Sequence, residues 1–110
     1  MNWQIAYYSD TLFDWIDRMP VSIRASYAHI TKRMLAYGPN LGMPYTRAMG
    51  NGLFEIRAHA REGIGRVFYC TIVGQKIVML HGFIKKTEKT PARELDLALR
   101  RMKEIKHENP

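Results

Sequence analysis

The chain has 110 residues, of which 46% are hydrophobic and 25% are charged, and its formal net charge is +7. A chain of this length builds one hydrophobic core but not two, so we predict a single domain over residues 1–110. The composition is that of a globular protein and excludes an intrinsically disordered chain.

Two features of the sequence indicate the cellular compartment. No apolar run approaches the ~20 residues of a transmembrane helix, and three aspartates near the start differ from the basic, greasy pattern of a signal peptide. The single cysteine, Cys70, has no partner for an internal disulfide, which suits a reducing environment. We therefore expect a cytoplasmic protein that does not bind a membrane.

The positive charge is concentrated in the second part of the chain. Residues 1–45 hold four basic and three acidic residues, whereas residues 46–110 hold thirteen basic and seven acidic ones. A one-sided basic excess suits a polyanionic partner such as RNA. A solubilising surface explains charge alone equally well.

In the N-terminal half, hydrophobic periodicity predicts one strand followed by two helices. Residues 3–7 alternate like a half-buried strand. Ser9 can cap a short helix that ends at Pro20, and Ser22 can cap a second helix that ends at Gly38. These two helices are expected to form a hairpin packed on a sheet.

In the second half, residues 39–52 are rich in Gly, Pro and Asn and predict a long loop. Three strands are then expected over residues 53–58, 67–73 and 76–84, joined by short turns that force antiparallel pairing. Thr90 is the expected N-cap of a final helix with Pro91 as its first residue. The order of elements predicts an α+β fold: an N-terminal strand and helical hairpin packed on an antiparallel sheet with a three-strand meander, then a C-terminal helix.

Metal and cofactor chemistry find no support in the sequence. The histidines are isolated from cysteines and carboxylates at ligand spacing, so we predict no zinc site. Gly63-Ile64-Gly65 lacks the lysine and the following helix of a phosphate-binding loop. We therefore predict a protein without a metal or a small-molecule cofactor.

Five basic residues form the most specific pattern in the chain. Alternation in the first meander strand puts Glu55 and Arg57 on one face, and Arg66 begins the second strand. The third strand runs into three lysines, and antiparallel hairpins return its end to the edge where the arginines lie. We therefore expect these cations to meet at one end of the sheet: Arg57, Arg66, Lys85, Lys86 and Lys89. The alternative is a strand end whose lysines are merely solvated.

Such a cluster is suited to cleaving RNA. Cations stabilise the charge that develops on a phosphodiester in the transition state, and RNA carries its own nucleophile, the 2′-hydroxyl. A lysine whose pKa is lowered by neighbouring cations can serve as the base. His81 is an alternative proton shuttle, although a histidine in such a strand is more often structural.

Three segments resemble a known family. Residues 52–57 (GLFEIR), 65–69 (GRVFY) and 80–91 (LHGFIKKTEKTP) are similar to the RelE/ParE superfamily of bacterial type II toxins, and most of all to its HigB-like branch with phage-derived members. The Lys-Lys-Thr-x-Lys-Thr-Pro string is the most specific of these matches. The order of the predicted elements fits the RelE-like fold along the whole chain.

The resemblance implies a toxin of a type II toxin–antitoxin system. Such a toxin is a ribosome-associated, metal-independent endoribonuclease that cuts mRNA, inhibits translation and is silenced by a helix-turn-helix antitoxin. The positions of the family's basic residues are occupied here by the predicted catalytic set, Arg57, Arg66, Lys85 and Lys86. The residues predicted to contact RNA around them are Lys89, Arg61 and His81.

This sequence departs from the RelE pattern in one respect, and two other functions compete. Some RelE-type enzymes stack a tyrosine from the final helix on a base, whereas this chain has no tyrosine after Tyr69. The first alternative is a ParE-like DNA gyrase inhibitor without nuclease activity, which would not need the cationic set. The second is a nonenzymatic RNA-binding module, which the charge permits equally well.

Overall fold

The computed structural model describes residues 2–85 and 89–109, and its helices and strands confirm the α+β class. In chain order they are β1 (Gln4–Tyr7), α1 (Asp10–Asp17), α2 (Val21–Tyr37), β2 (Thr46–Gly50), β3 (Leu53–Ala60), β4 (Gly63–Ile72), β5 (Lys76–Lys85) and α3 (Ala92–Glu108). No helix in the described part of the chain is long and apolar enough to cross a membrane.

The strands form one sheet in the order β1-β5-β4-β3-β2. The expected meander of β3, β4 and β5 is present, with antiparallel pairing throughout. The sheet as a whole is mixed, because β1 lies parallel to β5 and pairs Gln4 with Lys76 through Tyr7 with Met79. A parallel neighbour is possible here because β1 and β5 are joined by a long connection that contains α1, α2 and the strands β2 to β4.

The predicted loop over residues 39–52 was wrong in part, because β2 lies within it and extends the meander to four strands. β2 pairs only with β3 and is mostly exposed. An edge strand buries little surface, so it lacks the alternating apolar pattern that reveals inner strands. Its composition therefore resembled that of a loop.

The helix boundaries follow the predicted caps only in part. Ser9 caps α1, with its Oγ accepting a hydrogen bond from the Leu12 amide at 3.1 Å, and Gly38 ends α2 at φ +102°. The Ser22 cap was wrong, since α2 already begins at Val21. The Thr90 cap was also wrong, because α3 begins at Ala92 and the Thr90 hydroxyl bonds elsewhere.

Helices cover both faces of the sheet and create two apolar layers. The face toward α1 and α2 buries residues such as Ile23, Ile30, Val67 and Met79. The face toward α3, called the α3 face below, buries others, including Phe68, Leu80, Phe83 and Met102. β4 and β5 are thus covered on both sides, which explains why β5 is apolar at almost every position.

Burial of two tyrosines in the first of these layers predicts weaker stability at alkaline pH. Burial raises the pKa of Tyr69 to about 12, and burial beside the Tyr7 hydroxyl raises that of Tyr27 as well. Because the unfolded pKa is about 10, the stabilisation is complete below pH ~10. It is lost as the pH rises toward 12, at up to ~1.4 kcal/mol per pH unit for each tyrosine.

Urea unfolding followed by circular dichroism between pH 8 and 11.5 tests this expectation. In Tyr69→Phe the decline above pH 10 should be shallower than in the wild type, because one titrating group is removed. A free energy of unfolding that stays constant over this range would contradict the prediction.

Candidate active site

The register of the meander brings the predicted cations together at one end of the sheet. Arg57 on β3 lies opposite Arg66 on β4, Arg66 lies opposite Phe83 on β5, and Lys85 lies opposite Ile64. Strand alternation places all three cations on the α3 face. Arg57, Arg66 and Lys85 therefore meet as the hairpins predict, while their catalytic roles stay predictions.

A buried carboxylate joins the two arginines. Glu55 Oε1 lies 2.9 Å from Arg66 Nη1 and 3.8 Å from Arg57 Nε, and its Oε2 accepts a hydrogen bond from Thr90 Oγ1 at 3.2 Å. Glu55 and Arg66 are 0% exposed and Arg57 is 4% exposed. Such burial of charge is tolerated only when partners and hydrogen bonds replace water. The three charged side chains form a compact unit with one excess positive charge, called the Arg-Glu-Arg triad below.

Sequence reasoning did not assign Glu55 to the site, although a signal was present. Glu55 shares a strand face with Arg57, and its neighbours from Leu53 to Ile56 are apolar. This pattern indicates a carboxylate in a largely buried strand with a cation beside it. A buried carboxylate requires a cationic partner. Arg66, from the next strand, is the closer partner of Glu55, and only the register of the sheet shows this.

The triad also fixes the segment that precedes α3. Thr90, predicted as a helix cap, instead donates a hydrogen bond from its hydroxyl group to Glu55. This bond ties the end of the lysine-rich segment to β3, 35 residues earlier in the chain. The start of α3 is therefore positioned by the same carboxylate that holds the arginines.

His81 is held rigidly beside this site. Its Nε2 lies 2.6 Å from Glu94 Oε1 on α3, and its ring lies beside those of Phe68 and Phe83, with centroid distances of 6.5 and 6.4 Å. Because a carboxylate only accepts, Nε2 carries the proton of this bond. His81 is 15% exposed, so Glu94 and two aromatic rings set its orientation while part of the imidazole stays accessible.

The remaining predicted residues in the described ranges are more exposed than the triad. Lys85 is half-buried, whereas Lys89 and Arg61 are exposed. Arg61 lies in the β3–β4 turn, and a Cβ at Gly63 beside it would lie 3.2 Å from the Lys85 carbonyl oxygen, so this turn adjoins the end of β5. Lys86 lies outside the described residues. Their contact with RNA stays a prediction.

Three kinds of group thus lie at this end of the sheet. Lys85 offers partly accessible positive charge, with the exposed Lys89 and Arg61 in neighbouring segments; the triad holds buried positive charge; and His81 offers a fixed imidazole. Within residues 2–85 and 89–109, no group of three or more His, Cys, Asp or Glu side chains is placed to hold a metal ion. The arrangement can attract a phosphate and supply proton-transferring groups.

Comparison with known proteins identifies the family. Residues 14–103 match the family described as phage-derived protein Gp49-like (DUF891). A search of curated proteins finds no match. The matched range contains the triad, His81, Lys85 and the segment leading into α3, so it covers the whole candidate site. The chain belongs to the Gp49-like family, which is part of the RelE/HigB-type toxin superfamily.

Proposed function

We propose that this protein is the toxin of a type II toxin–antitoxin system and acts as a ribosome-associated mRNA endoribonuclease. One toxin domain over residues 1–110 would act in the cytoplasm and be silenced by a helix-turn-helix antitoxin. The observation that carries the proposal is the meeting of Arg57, Arg66 and Lys85 on one sheet face in a chain of a toxin superfamily.

The proposed reaction uses the 2′-hydroxyl of the RNA as the nucleophile. Lys85 or Lys86 removes the proton of this hydroxyl, and the resulting oxygen attacks the adjacent phosphorus. The bond from phosphorus to the 5′-oxygen breaks, leaving a 2′,3′-cyclic phosphate on one fragment. The leaving 5′-oxygen takes a proton from a neighbouring cation or from His81. No metal ion is needed, because the cations stabilise the extra charge of the transition state.

The two arginines contribute mainly through their field in this proposal. Arg66 is 0% exposed and Arg57 is 4% exposed, so the guanidinium groups lie beneath the surface that RNA would touch. A charge fixed in a poorly solvated site acts on a phosphate more strongly than the same charge in water. Glu55 keeps both guanidinium groups in place before substrate arrives, and Lys85 and Lys89 make the direct contacts with the RNA backbone.

Purified protein added to programmed ribosomes tests the proposal against its alternatives. We expect mRNA fragments ending in a 2′,3′-cyclic phosphate, formed in the presence of EDTA, while DNA gyrase continues to supercoil plasmid. Intact mRNA together with blocked supercoiling would indicate a ParE-like gyrase inhibitor instead. Intact mRNA with retained RNA binding would indicate a nonenzymatic module.

A further inference from the structure

The outer side of α2 carries a second cationic surface, on the sheet face opposite the candidate active site. The 17-residue sequence of α2, VSIRASYAHITKRMLAY, contains two arginines, one lysine and one histidine but no acidic residue. The acidic residues within residues 1–45 all lie in α1, at positions 10, 14 and 17. Residues 1–45 are therefore nearly neutral in sum, although the charged residues of α2 are all basic.

Near the C-terminus of α2, cations and aromatic rings are interleaved. The guanidinium carbon of Arg33 lies 5.7 Å from the ring centre of Tyr37 and 5.2 Å from that of Tyr45. The ring of His29 lies 6.2 Å from that of Tyr45. Together with Lys32, these residues form what we call the Tyr37 surface. Such distances place Arg33 in cation–π contact with both tyrosines.

The Tyr37 surface is open to solvent and is not neutralised by nearby carboxylates. Tyr37 is 76% exposed, and a concavity of about 310 Å³ is lined by His29, Lys32, Arg33, Ala36 and Tyr37. Neither Lys32 nor Arg33 forms an ion pair with any carboxylate of the described residues. Two full positive charges beside an exposed aromatic ring are therefore available to a partner.

We propose that the Tyr37 surface binds unpaired RNA. Lys32 and Arg33 neutralise backbone phosphates, and the exposed face of Tyr37 stacks on a base, the combination by which proteins hold single strands. Tyr45 is half-buried against the core and contacts the guanidinium of Arg33, which also lies over the ring of Tyr37. An acidic protein segment would need only the cations, whereas an exposed ring in contact with a planar guanidinium suits a nucleobase.

This inference extends the proposed function by adding a binding surface that takes no part in cleavage. The two faces of the sheet separate the Tyr37 surface from Lys85 and the triad. A single-stranded RNA of about ten nucleotides, 2′-O-methylated throughout, isolates the binding step because the proposed reaction needs a free 2′-hydroxyl. Its affinity, measured by fluorescence anisotropy, therefore does not depend on whether the protein is a nuclease.

Tyr37→Ala should weaken this binding by about 5-fold to 150-fold, the value of one base-stacking contact. Tyr37→Phe keeps the ring and should bind like the wild type, and Arg33→Ala should bind more weakly. Lys76→Ala, which removes an exposed lysine at the start of β5, is the matched control for lost charge and should have a much smaller effect. Unchanged melting temperatures would show that the variants are folded.

Two results would overturn the proposal. Wild-type affinity in Tyr37→Ala would mean that charge alone attracts the RNA. Binding of a polyglutamate peptide of equal charge, with affinity equal to that of the RNA and the same loss in Tyr37→Ala, would assign the surface to an acidic protein partner. A wild-type protein that binds this RNA through the Tyr37 surface but does not cleave mRNA would contradict only the proposed function.

Discussion

Replacing Arg66 with alanine is expected to reduce the free energy of unfolding by about 3–5 kcal/mol, the usual cost of removing one partner of a buried ion pair. Arg66 and Glu55 are both 0% exposed, with Nη1 and Oε1 2.9 Å apart. The substitution leaves a buried carboxylate whose closest cation is gone, and it also opens a cavity. Urea unfolding followed by circular dichroism measures the loss.

A double-mutant cycle separates the ion pair from the packing. Glu55→Gln alone leaves Arg57 and Arg66 opposite each other without their shared counter-ion, so it should be destabilising too. The cycle uses Arg66→Met, which removes the charge and keeps most of the volume. The double variant Glu55→Gln, Arg66→Met should lose less free energy of unfolding than the sum of the losses in Glu55→Gln and Arg66→Met. Additive losses, or a loss below ~1 kcal/mol in Arg66→Ala, would show that the pair does not stabilise the fold.

An inactive Arg66 variant does not by itself identify Arg66 as a catalytic residue. Loss of mRNA cleavage by Arg66→Ala can arise from unfolding as well as from a missing catalytic charge. Stability has to be measured beside activity for every residue of the triad. A residue closer to the surface is a better probe of the chemistry.

Lys85→Ala is expected to reduce mRNA cleavage by about 10²–10³-fold, the effect of removing one preorganised group from a transition state. Lys85 is half-buried, and its side chain forms no ion pair or hydrogen bond with other residues in the described ranges. Its loss should therefore change the free energy of unfolding by less than ~0.5 kcal/mol. Single-turnover cleavage on programmed ribosomes gives the rate.

Two further variants define the role of this lysine. Lys76→Ala removes an exposed lysine from the opposite end of β5 and should cleave at the wild-type rate. Lys85→Arg keeps the charge but has no usable base near neutral pH, so activity in this variant would indicate a phosphate contact and not proton removal. Wild-type cleavage by Lys85→Ala would exclude Lys85 from the reaction.

Local sequence signals were sufficient for the elements that bury an apolar face. The alternation of β3 and the unbroken apolar run of β5 determine those strands, and the spacing of Ile23, Tyr27, Ile30 and Met34 determines α2. Short turns between the strands then determine the meander. For the same reason, the sequence alone predicted that the arginines and Lys85 share one end of a sheet.

Contacts between distant segments escaped local signals. β2 exists because β3 offers it a free edge, and no apolar pattern marks it. Thr90 has the sequence features of a helix cap, yet it bonds to Glu55, 35 residues away. Which of two possible hydrogen-bond partners a side chain takes is decided only when the fold has brought both within reach.

The basic cluster shows this division most clearly. The residue types and the hairpin lengths, both written in the sequence, determined that several cations meet on one sheet face. Only the tertiary structure decided which of them lie at the surface, because burial depends on what α3 and the neighbouring strands cover. It placed Glu55 between Arg57 and Arg66 and left Lys85 half-exposed beside them. A buried charge must find a partner wherever the packing brings one, and local sequence does not contain that information.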